Sequence, residues 1–433
     1  MSTTIADEHT HASLWAGLRA IRLPVAREAA VAAGSIAVVA LHVADDNFLQ
    51  PNPGTSAVDH LFGGAFLLGL LATAAVFYGR ARPGARAAIA LLAGFFGVLV
   101  GTEAVYYTRE VGPSGDDYTG LLSIPAGFVL VGLGTFKLWT SRRLGDRLWR
   151  RYGRRALRTA GAAVVVALVL FPLAGAYIIT HAARAHVPTA DLGARYENVE
   201  FTTSDGLLLK GWYIPSQNGA AVISFPGRAD TQKRAKMLAR HGYGVLVFDR
   251  RGEGESEGDP NILGWHGERD VHAAVTFLQS RPDVEPDRIG GIGLSVGGEM
   301  MIEAAAESSD LKAIVSEGAS TRSIRDEFAN PETELAKAYF FGMITAATTV
   351  FTDNVPPADL MSLVPRIKGS VFFVYGEHGQ PEEKPANTAF HKAAQGEKEL
   401  WEVPGSTHMN GIDAQPQEYE RRVVSFFDRS LLR

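Results

Sequence analysis

A serine on a tight turn between two glycines has the residue types of a covalent acyl-transfer site. Ser295 lies between Gly293 and Gly297, after a short strand-like run and directly before a helix-like run rich in alanine. Such an arrangement exposes the serine Oγ, and the start of the helix leaves backbone N–H groups free to bind an anion. Glycine is required two residues before and after the serine because a side chain there would collide with neighbouring backbone. The spacing therefore predicts Ser295 as a nucleophile.

His408 is the candidate for the base that a serine nucleophile needs. A serine hydroxyl reacts poorly at neutral pH unless a neighbouring group takes its proton. His408 follows the last predicted strand in a Gly-Ser-Thr-His sequence, just before the final predicted helix. An imidazole in such a turn can pass a proton between the nucleophile and a leaving group.

Strand-like and helix-like segments alternate through the part of the chain that contains Ser295 and His408. Residues 195–215 alternate between polar and apolar around Asp205-Gly206, which predicts a hairpin. Further strands are predicted at 220–225, 244–248, 288–292, 312–316, 370–375 and 399–403, and helices at 233–241, 268–280, 298–306 and 416–431. This alternation favours a mostly parallel α/β sheet with helices on both faces.

Residues from about 195 to 433 resemble the α/β-hydrolase superfamily. The resemblance is carried by Thr-Ser-Asp-Gly at 203–206, Phe-Pro-Gly at 225–227, Asp-Arg-Arg-Gly-Glu-Gly-Glu-Ser at 249–256, Gly-Leu-Ser-Val-Gly at 293–297 and Gly-Ser-Thr-His at 405–408. The spacing is similar to that of membrane-tethered serine esterases, lipases and acyl-transferring members. It implies an acyl-enzyme on Ser295 with His408 as the base, an acid between them in the chain, and no metal or cofactor.

The acid that would orient the histidine is the point at which this chain departs from the family pattern. The family usually has an aspartate three residues after the glycine that ends the penultimate strand, and the third residue after Gly376 is Gly379. Glu377 is the nearest carboxylate in that loop and is the predicted acid, because this loop lies beside the one that carries the histidine. Glu317, directly after the preceding predicted strand, is the alternative, and Glu382 is a third candidate.

Two backbone N–H groups are expected to bind the oxyanion of an acyl-transfer intermediate. Val296 follows the nucleophile and supplies the first. Arg228 follows Pro226-Gly227, where the family more often has His-Gly, and supplies the second. Asp249 and Arg250 are expected to brace the turn after their strand rather than take part in the reaction.

The first part of the chain is apolar enough to build a membrane domain. Five segments approach the ~20 residues that an α-helix needs to cross a bilayer. They are residues 25–44, 57–78, 85–107, 121–139 and 159–182. None has the apolar core and small-residue cleavage site of a signal peptide. The sequence therefore predicts a multi-pass protein of the cell membrane, with an N-terminal helical transmembrane bundle and a C-terminal α/β-hydrolase domain.

The distribution of arginine predicts the orientation of these segments. The excess lies in the N-terminal flank and in the second and fourth connections, at residues 19, 22, 27, 80, 82, 86, 142, 143, 147, 150, 151, 154, 155 and 158. The positive-inside rule then places the N-terminus in the cytoplasm and the C-terminal half outside. The chain divides into a cytoplasmic segment 1–24, a membrane domain 25–183, a linker 184–194 and a hydrolase domain 195–433.

Residues 318–368 are longer than a simple connection between two elements. They contain apolar runs at 339–344 and 350–351. Such a segment is typical of a lid over the site, of a membrane-docking element or of ordinary packing against the sheet.

Polar residues lie near the outer ends of the predicted spans. They are His42, Asp45, Asp46, Asp59, His60 and Glu103. Ionisable groups at this depth are costly, so a metal or lipid-headgroup site is one interpretation. Hydrated helix caps that pair with each other are the alternative, and Asp59 suits the start of a helix.

Three functions fit the sequence. The first is a membrane-anchored serine hydrolase acting on an ester, a thioester or a lipid acyl bond of a lipophilic or acyl small molecule. The second is a non-catalytic lipid- or partner-binding protein, which the glycine at position 379 favours. The third gives the membrane domain its own lipid-handling activity. A net charge of −5 argues against a nucleic-acid partner, and the lack of cysteine excludes disulfides, thiolate metal sites and a cysteine nucleophile.

Overall fold

The computed structural model describes residues 24–110, 112–140, 148–329 and 334–433, and these form two compact units. The first unit contains the chain up to residue 51 and residues 57–166, and the second contains residues 52–56 and 167–433. The sequence predicts a linker at 184–194, whereas the boundary between the units lies inside the last apolar helical segment. Residues 1–23 of the predicted cytoplasmic segment and the arginines at 142, 143 and 147 lie outside the described residues.

The described part of the first unit is helical. Its helices are α1 (Val25–Ala44), α2 (Leu61–Tyr78), α3 (Pro83–Val100), α4 (Thr102–Glu110), α5 (Asp117–Thr140) and α6 (Leu148–Val165). The backbones of α3 and α5 approach closely, because a Cβ at Gly94 would lie 2.8 Å from the carbonyl oxygen of Gly127 and a Cβ at Gly127 2.7 Å from that of Gly94. Small residues at a helix crossing are typical of helices that pack in a membrane.

Part of the polar cluster noted in the sequence ties helices together. His42 Nε2 is hydrogen-bonded to the carbonyl of Val100 at 2.9 Å, and its Nδ1 to Thr119 Oγ1 at 3.2 Å. The Thr119 hydroxyl donates to Asp45 Oδ2 at 2.7 Å. Within the described residues, no group of three or more His, Asp or Glu side chains is arranged to hold a metal ion. These bonds connect α1 to α3 and α5.

Six helical segments of the described residues are long and apolar enough to cross a membrane, by length and composition. Five of them overlap the predicted spans, at residues 25–49, 61–78, 83–110, 117–138 and 160–180. The sixth, at residues 335–352, lies in the second unit, inside the segment 318–368, which we call the lid region although a membrane-docking element and ordinary packing were equally open for it. The sequence does not predict this sixth segment as a span.

An eight-stranded sheet forms the centre of the second unit. Its strands are β1 (Glu197–Thr202), β2 (Leu208–Ile214), β3 (Ala221–Phe225), β4 (Gly244–Phe248), β5 (Ile289–Leu294), β6 (Ala313–Glu317), β7 (Ser370–Gly376) and β8 (Lys398–Val403). Their order is β1-β2-β4-β3-β5-β6-β7-β8. The β1–β2 and β2–β4 pairs are antiparallel and the others parallel. This confirms the predicted hairpin and the mostly parallel sheet.

The helices of the second unit precede, connect or follow these strands, and together they cover both faces of the sheet. They are α7 (Phe171–Thr180), α8 (Gln232–Arg240), α9 (Gly267–Gln279), α10 (Val296–Glu307), α11 (Ile324–Ala329), α12 (Leu335–Thr352), α13 (Leu360–Leu363), α14 (Glu383–Ala393), α15 (Gly411–Ala414) and α16 (Pro416–Leu431). Residues of α9, α10 and α14 form one apolar core with the sheet, and residues of α8 and α16 form another. Every residue of β3, β4 and β6 is buried, as expected between two layers. Helix α14 is not among the helices that the sequence predicts.

A buried carboxylate at the end of β6 holds three elements together. Glu317 is 2% exposed, and its Oε2 accepts from Arg234 Nη2 of α8 at 2.7 Å and from the Tyr419 hydroxyl of α16 at 2.6 Å. Its Oε1 accepts from the N–H of Gly411 at 3.0 Å. A buried charge is stable only when it is paired and hydrogen-bonded in this way.

Replacing Glu317 by glutamine should destabilise the second unit. The change leaves the Arg234 guanidinium buried without its counter-charge, and breaking a buried pair costs about 3–5 kcal/mol. The denaturant midpoint of tryptophan fluorescence in detergent should therefore fall for Glu317→Gln. Glu420→Gln, at the exposed pair with Arg240, is the control and should change the free energy of unfolding by less than about 1 kcal/mol. Equal midpoints for Glu317→Gln and the wild type would show that the pair contributes nothing.

Candidate active site

Ser295 lies on a strained turn between β5 and α10. Its φ is +49°, in the left-handed region that residues with side chains rarely adopt. A Cβ at Gly293 would lie 2.3 Å from the carbonyl oxygen of Gly297, and a Cβ at Gly297 would lie 3.0 Å from that of Phe225. The Ser295 N–H donates to the Glu317 carbonyl at 2.7 Å, which fixes the turn to β6. Both glycines are therefore required by the backbone geometry of the turn.

His408 lies between the serine and a carboxylate. Its Nε2 is 2.9 Å from Ser295 Oγ, and its Nδ1 is 2.6 Å from Glu383 Oε1. Both are hydrogen-bond distances, and the second is short, as in a charge-assisted bond. A proton on Nδ1 that is donated to the carboxylate leaves the Nε2 lone pair to accept from the hydroxyl. The expected contact between Ser295 and His408 is present.

The carboxylate on His408 is Glu383, so the predicted placement of Glu377 there is wrong. Glu383 is the first residue of α14 and is fully buried, and its carboxylate also accepts from the N–H of Gln380 at 2.6 Å. Glu377 is exposed and accepts instead from the N–H of Gly405 at 2.8 Å. It thereby joins the loops that follow β7 and β8, and its carboxylate is bound to the backbone rather than to the imidazole.

Gly379 is the reason that the carboxylate can come from α14. A Cβ at this position would lie 2.4 Å from Glu383 Oε2, inside the space that the carboxylate occupies. The family's usual aspartate at this position and Glu383 therefore exclude each other sterically. The glycine that separates this chain from the family pattern makes room for an acid four residues later.

The other two candidate acids have different partners. Glu317 is bound by Arg234 and Tyr419 and serves the packing of β6. Glu382 forms an ion pair with Lys337 of α12. Glu382 and Glu383 are adjacent in the chain. The Glu382 carboxylate contacts Lys337 of the lid region, and the Glu383 carboxylate contacts His408.

The two predicted oxyanion donors differ in their availability. Val296 is the first residue of α10, so its N–H has no acceptor within the helix and remains available to an anion. The N–H of Arg228 donates to Asp249 Oδ1 at 2.9 Å and is not available to a substrate. The Arg228 side chain is buried, with its Nε donating to Asp249 Oδ2 at 2.8 Å and its guanidinium 5.2 Å from the Trp212 ring.

Asp249 and Arg250 brace the turn after β4, as expected. Asp249 holds Arg228, and its carbonyl accepts from the Ser256 hydroxyl at 2.6 Å. Arg250 Nη1 donates to the carbonyl of Asn261 at 3.0 Å. These bonds shape the loop beside the site and involve none of the reacting groups.

A second buried carboxylate near the histidine, Glu299, is not among the candidates from the sequence. Glu299 lies in the first turn of α10, four residues after the nucleophile, and its Oε1 accepts from the N–H of Ser320 at 3.3 Å. Burial raises the pKa of Glu299 to about 7, although Arg322 and His408 favour its charged form. The carboxyl is therefore a buried group that can both donate and accept a hydrogen bond near neutral pH.

Comparison with known proteins gives a family match within the second unit. The X-Pro dipeptidyl-peptidase family (S15) matches residues 195–399. The matched region includes Ser295 and Glu383 and ends before His408.

Curated relatives match shorter stretches of the chain. A polyketide transferase from a Penicillium species is 36% identical over 143 residues, which are 31% of this chain and 47% of that protein. A thiohydrolase from Aspergillus aculeatus is 36% identical over 129 residues, 28% of this chain and 41% of that protein. The chain thus spans less than half the length of these relatives.

A solved structure aligns with more of the chain. An esterase from Pyrococcus furiosus is 24% identical and has a TM-score of 0.49, with 58% of this chain and 98% of that chain covered. The family match over 195–399 agrees with two features of the second unit, the strand order of its sheet and the strained serine turn after β5. In these features the second unit is similar to the α/β-hydrolases.

Proposed function

We propose that the second unit is a serine hydrolase that cleaves an ester, thioester or lipid acyl bond through an acyl-enzyme. The observation that carries the proposal is the continuous series of hydrogen bonds from Ser295 Oγ through His408 to Glu383. A nucleophile, a base and an orienting acid are the three groups that acyl transfer by serine requires. A non-catalytic binding protein was favoured only by the glycine at position 379, and Glu383 supplies the carboxylate that this position lacks.

In the proposed reaction, Ser295 Oγ attacks the carbonyl carbon of the acyl group while His408 Nε2 takes its proton. The Glu383 carboxylate accepts from Nδ1 and stabilises the imidazolium that forms. The imidazolium then gives its proton to the leaving alcohol or thiol, and the acyl group stays on the serine. A water molecule, deprotonated by the same imidazole, attacks the acyl-enzyme, releases the carboxylic acid and restores the serine.

The oxyanion of the tetrahedral intermediate needs two donors. The Val296 N–H, at the positive end of the α10 dipole, is the first. The predicted second donor, the Arg228 N–H, is bound to Asp249 Oδ1, so it serves only if the substrate displaces that bond.

The names of the curated relatives support an acyl substrate. One is named a thiohydrolase and another a polyketide transferase. Both names favour a thioester or an ester of an acyl chain as the substrate class of this chain.

The family match favours a second candidate, hydrolysis of a peptide bond after proline. The matched family is named for X-Pro dipeptidyl-peptidases, and the same three groups can cleave an amide. Gly-Pro p-nitroanilide and a p-nitrophenyl ester separate the two candidates. Turnover of the anilide at a rate comparable with that of the ester would favour the peptidase.

The first unit is proposed to anchor the enzyme in the cell membrane, with the second unit outside the cytoplasm. Five apolar helices and the arginine-rich second and fourth connections support this orientation. The loop between α1 and α2 supports it independently. The carbonyl of Pro53 accepts from the N–H of Gly258 at 2.9 Å, and Asn52 Nδ2 donates to Asp259 Oδ1 at 3.1 Å. Residues 52–56 of the first connection are part of the second unit, and we expect them on its side of the bilayer.

Ser295→Ala and His408→Ala should each abolish hydrolysis of p-nitrophenyl acetate by the purified protein. Loss of the nucleophile or of the base removes covalent catalysis, so kcat should fall by at least ~10³. Circular dichroism serves as the control for folding. Turnover near the wild-type rate in either folded variant would contradict the proposed function.

Glu383→Gln should slow turnover by up to ~10⁴, because the imidazole loses the group that fixes its tautomer. Glu377→Gln, a matched change in the neighbouring loop, should leave kcat within about twofold, since no group of the proposed reaction touches it. Gly379→Asp should restore part of the activity of Glu383→Ala, because it returns a carboxylate to the vacated space. An active Glu383→Gln beside an inactive Glu377→Gln would reverse the assignment.

Reporter fusions should test the orientation. A phosphatase that is active only outside the cytoplasm should be active when fused after Arg433 and inactive when inserted near Arg150, because the arginine-rich fourth connection stays inside. A fluorescent protein that folds only in the cytoplasm is the reciprocal control. A cytoplasmic C-terminal reporter would overturn the proposed orientation.

A further inference from the structure

Helix α12 of the lid region packs along α7, the second half of the apolar span at 160–180. The rings of Phe340 and Phe171 meet edge to face, 6.3 Å apart. Further along both helices, Phe351 meets Tyr177 edge to face at 5.7 Å. Since residue numbers rise together in the two helices, α12 runs parallel to α7.

The surface of this helix pair is apolar. Phe171 and Ile178 of α7 are exposed, as are Leu335 and Tyr339 of α12. No charged residue occurs in α12 from residue 339 to 352. Three of its four threonine hydroxyls donate to carbonyls one turn earlier, so they need no water. Such an apolar surface is more stable in contact with lipid than in contact with water.

Although α12 is long enough to cross a bilayer, its two flanks prevent this. Asp326 before the helix accepts from the N–H groups of Leu360 (3.1 Å) and Met361 (3.2 Å) after it, so both flanks are held together. Residues 353–359 reach at most ~25 Å when extended, which is short of the ~30 Å hydrocarbon core. The helix can therefore enter a membrane only from one side, beside α7.

The same helix begins next to the proposed active site. Lys337 in its first turn pairs with Glu382 and lies 3.5 Å from Glu327 of α11. Glu382 directly precedes Glu383, whose carboxylate is on His408. One ion pair and one peptide bond thus connect the start of α12 to the acid of the proposed triad.

We propose that α12 is a lipid-embedded helix of the hydrolase unit and that Ser295 takes its substrate from the bilayer. The substrate class is then an ester or thioester of a long acyl chain that partitions into the membrane. This inference rests on the proposed serine-hydrolase function and adds the phase from which the substrate comes. A helix held in the lipid beside α7 brings the start of α12, next to the proposed triad, into contact with lipid.

Nitroxide labels test the position of α12 directly, because the chain has no cysteine of its own. The full chain is reconstituted into phosphatidylcholine vesicles with one label at Ala346→Cys, an exposed position of α12. Val164→Cys in the span at 160–180 is the lipid control, and Ser309→Cys after α10 is the aqueous control. Molecular oxygen should increase the relaxation rate of the nitroxide on Ala346→Cys more than a soluble nickel chelate does, and the same result is expected for Val164→Cys. Behaviour like that at Ser309 overturns the proposal.

Hydrolysis by folded variants tests the lipid route. Leu335→Glu puts a charge on the apolar surface and should lower hydrolysis of a long-chain p-nitrophenyl ester carried in vesicles about 10-fold or more. Hydrolysis of soluble p-nitrophenyl acetate should not change. Tyr196→Glu, a matched change at an exposed position before β1, should affect neither ester. Ala346→Glu repeats the test should Leu335→Glu not fold.

The two esters also separate this inference from the function on which it rests. A loss that is equal for both esters, or absent for both, overturns the lipid route while the serine-hydrolase function stands. Ser295→Ala must be inactive on both esters. Turnover in that variant overturns the function itself, wherever the label on α12 lies.

Discussion

The hydrogen bond between Glu383 and His408 is the contact on which the proposed chemistry depends. It joins the start of α14 to the loop after β8, and it requires that position 379 have no side chain. Without it the imidazole has no group that fixes its tautomer, and the serine has no directed base. The Glu383 carboxylate lies in the space next to Gly379, although Glu383 comes four positions later in the chain. The absence of an aspartate at position 379 is therefore compatible with a complete set of nucleophile, base and acid.

The carboxyl ends of the parallel strands bring the other groups to the same place. The turn of Ser295 follows β5 and is bonded to the end of β6, where the buried Glu317 holds α8 and α16. Next to it, Gly318 has a φ of +76°, and a Cβ there would lie 3.0 Å from the His408 ring. Glu317, the alternative acid in the sequence, therefore stabilises the carboxyl end of β6, next to the proposed site.

Sequence reasoning predicted the groups whose signals are local. Ser295 has glycines at fixed spacing, and buried strands are continuous apolar runs, so both could be read from short windows. Predicting Glu383 would have required predicting that α14 begins there. The signals for this helix start are Pro385 in its first turn and the apolar Phe390, and both are weak among the charged residues of the helix. The bond from Arg228 to Asp249 and the packing of α12 on α7 join residues far apart in the chain. No local pattern encodes such contacts.

Labelling with a fluorophosphonate probe tests directly whether Ser295 is an activated nucleophile. The probe forms a covalent bond only with a serine that a neighbouring base activates. We expect one adduct on the native protein, located by mass spectrometry in the tryptic peptide 289–312, which contains Ser295. An unlabelled protein, or an adduct confined to a different peptide, would contradict the assignment of Ser295 as an activated nucleophile.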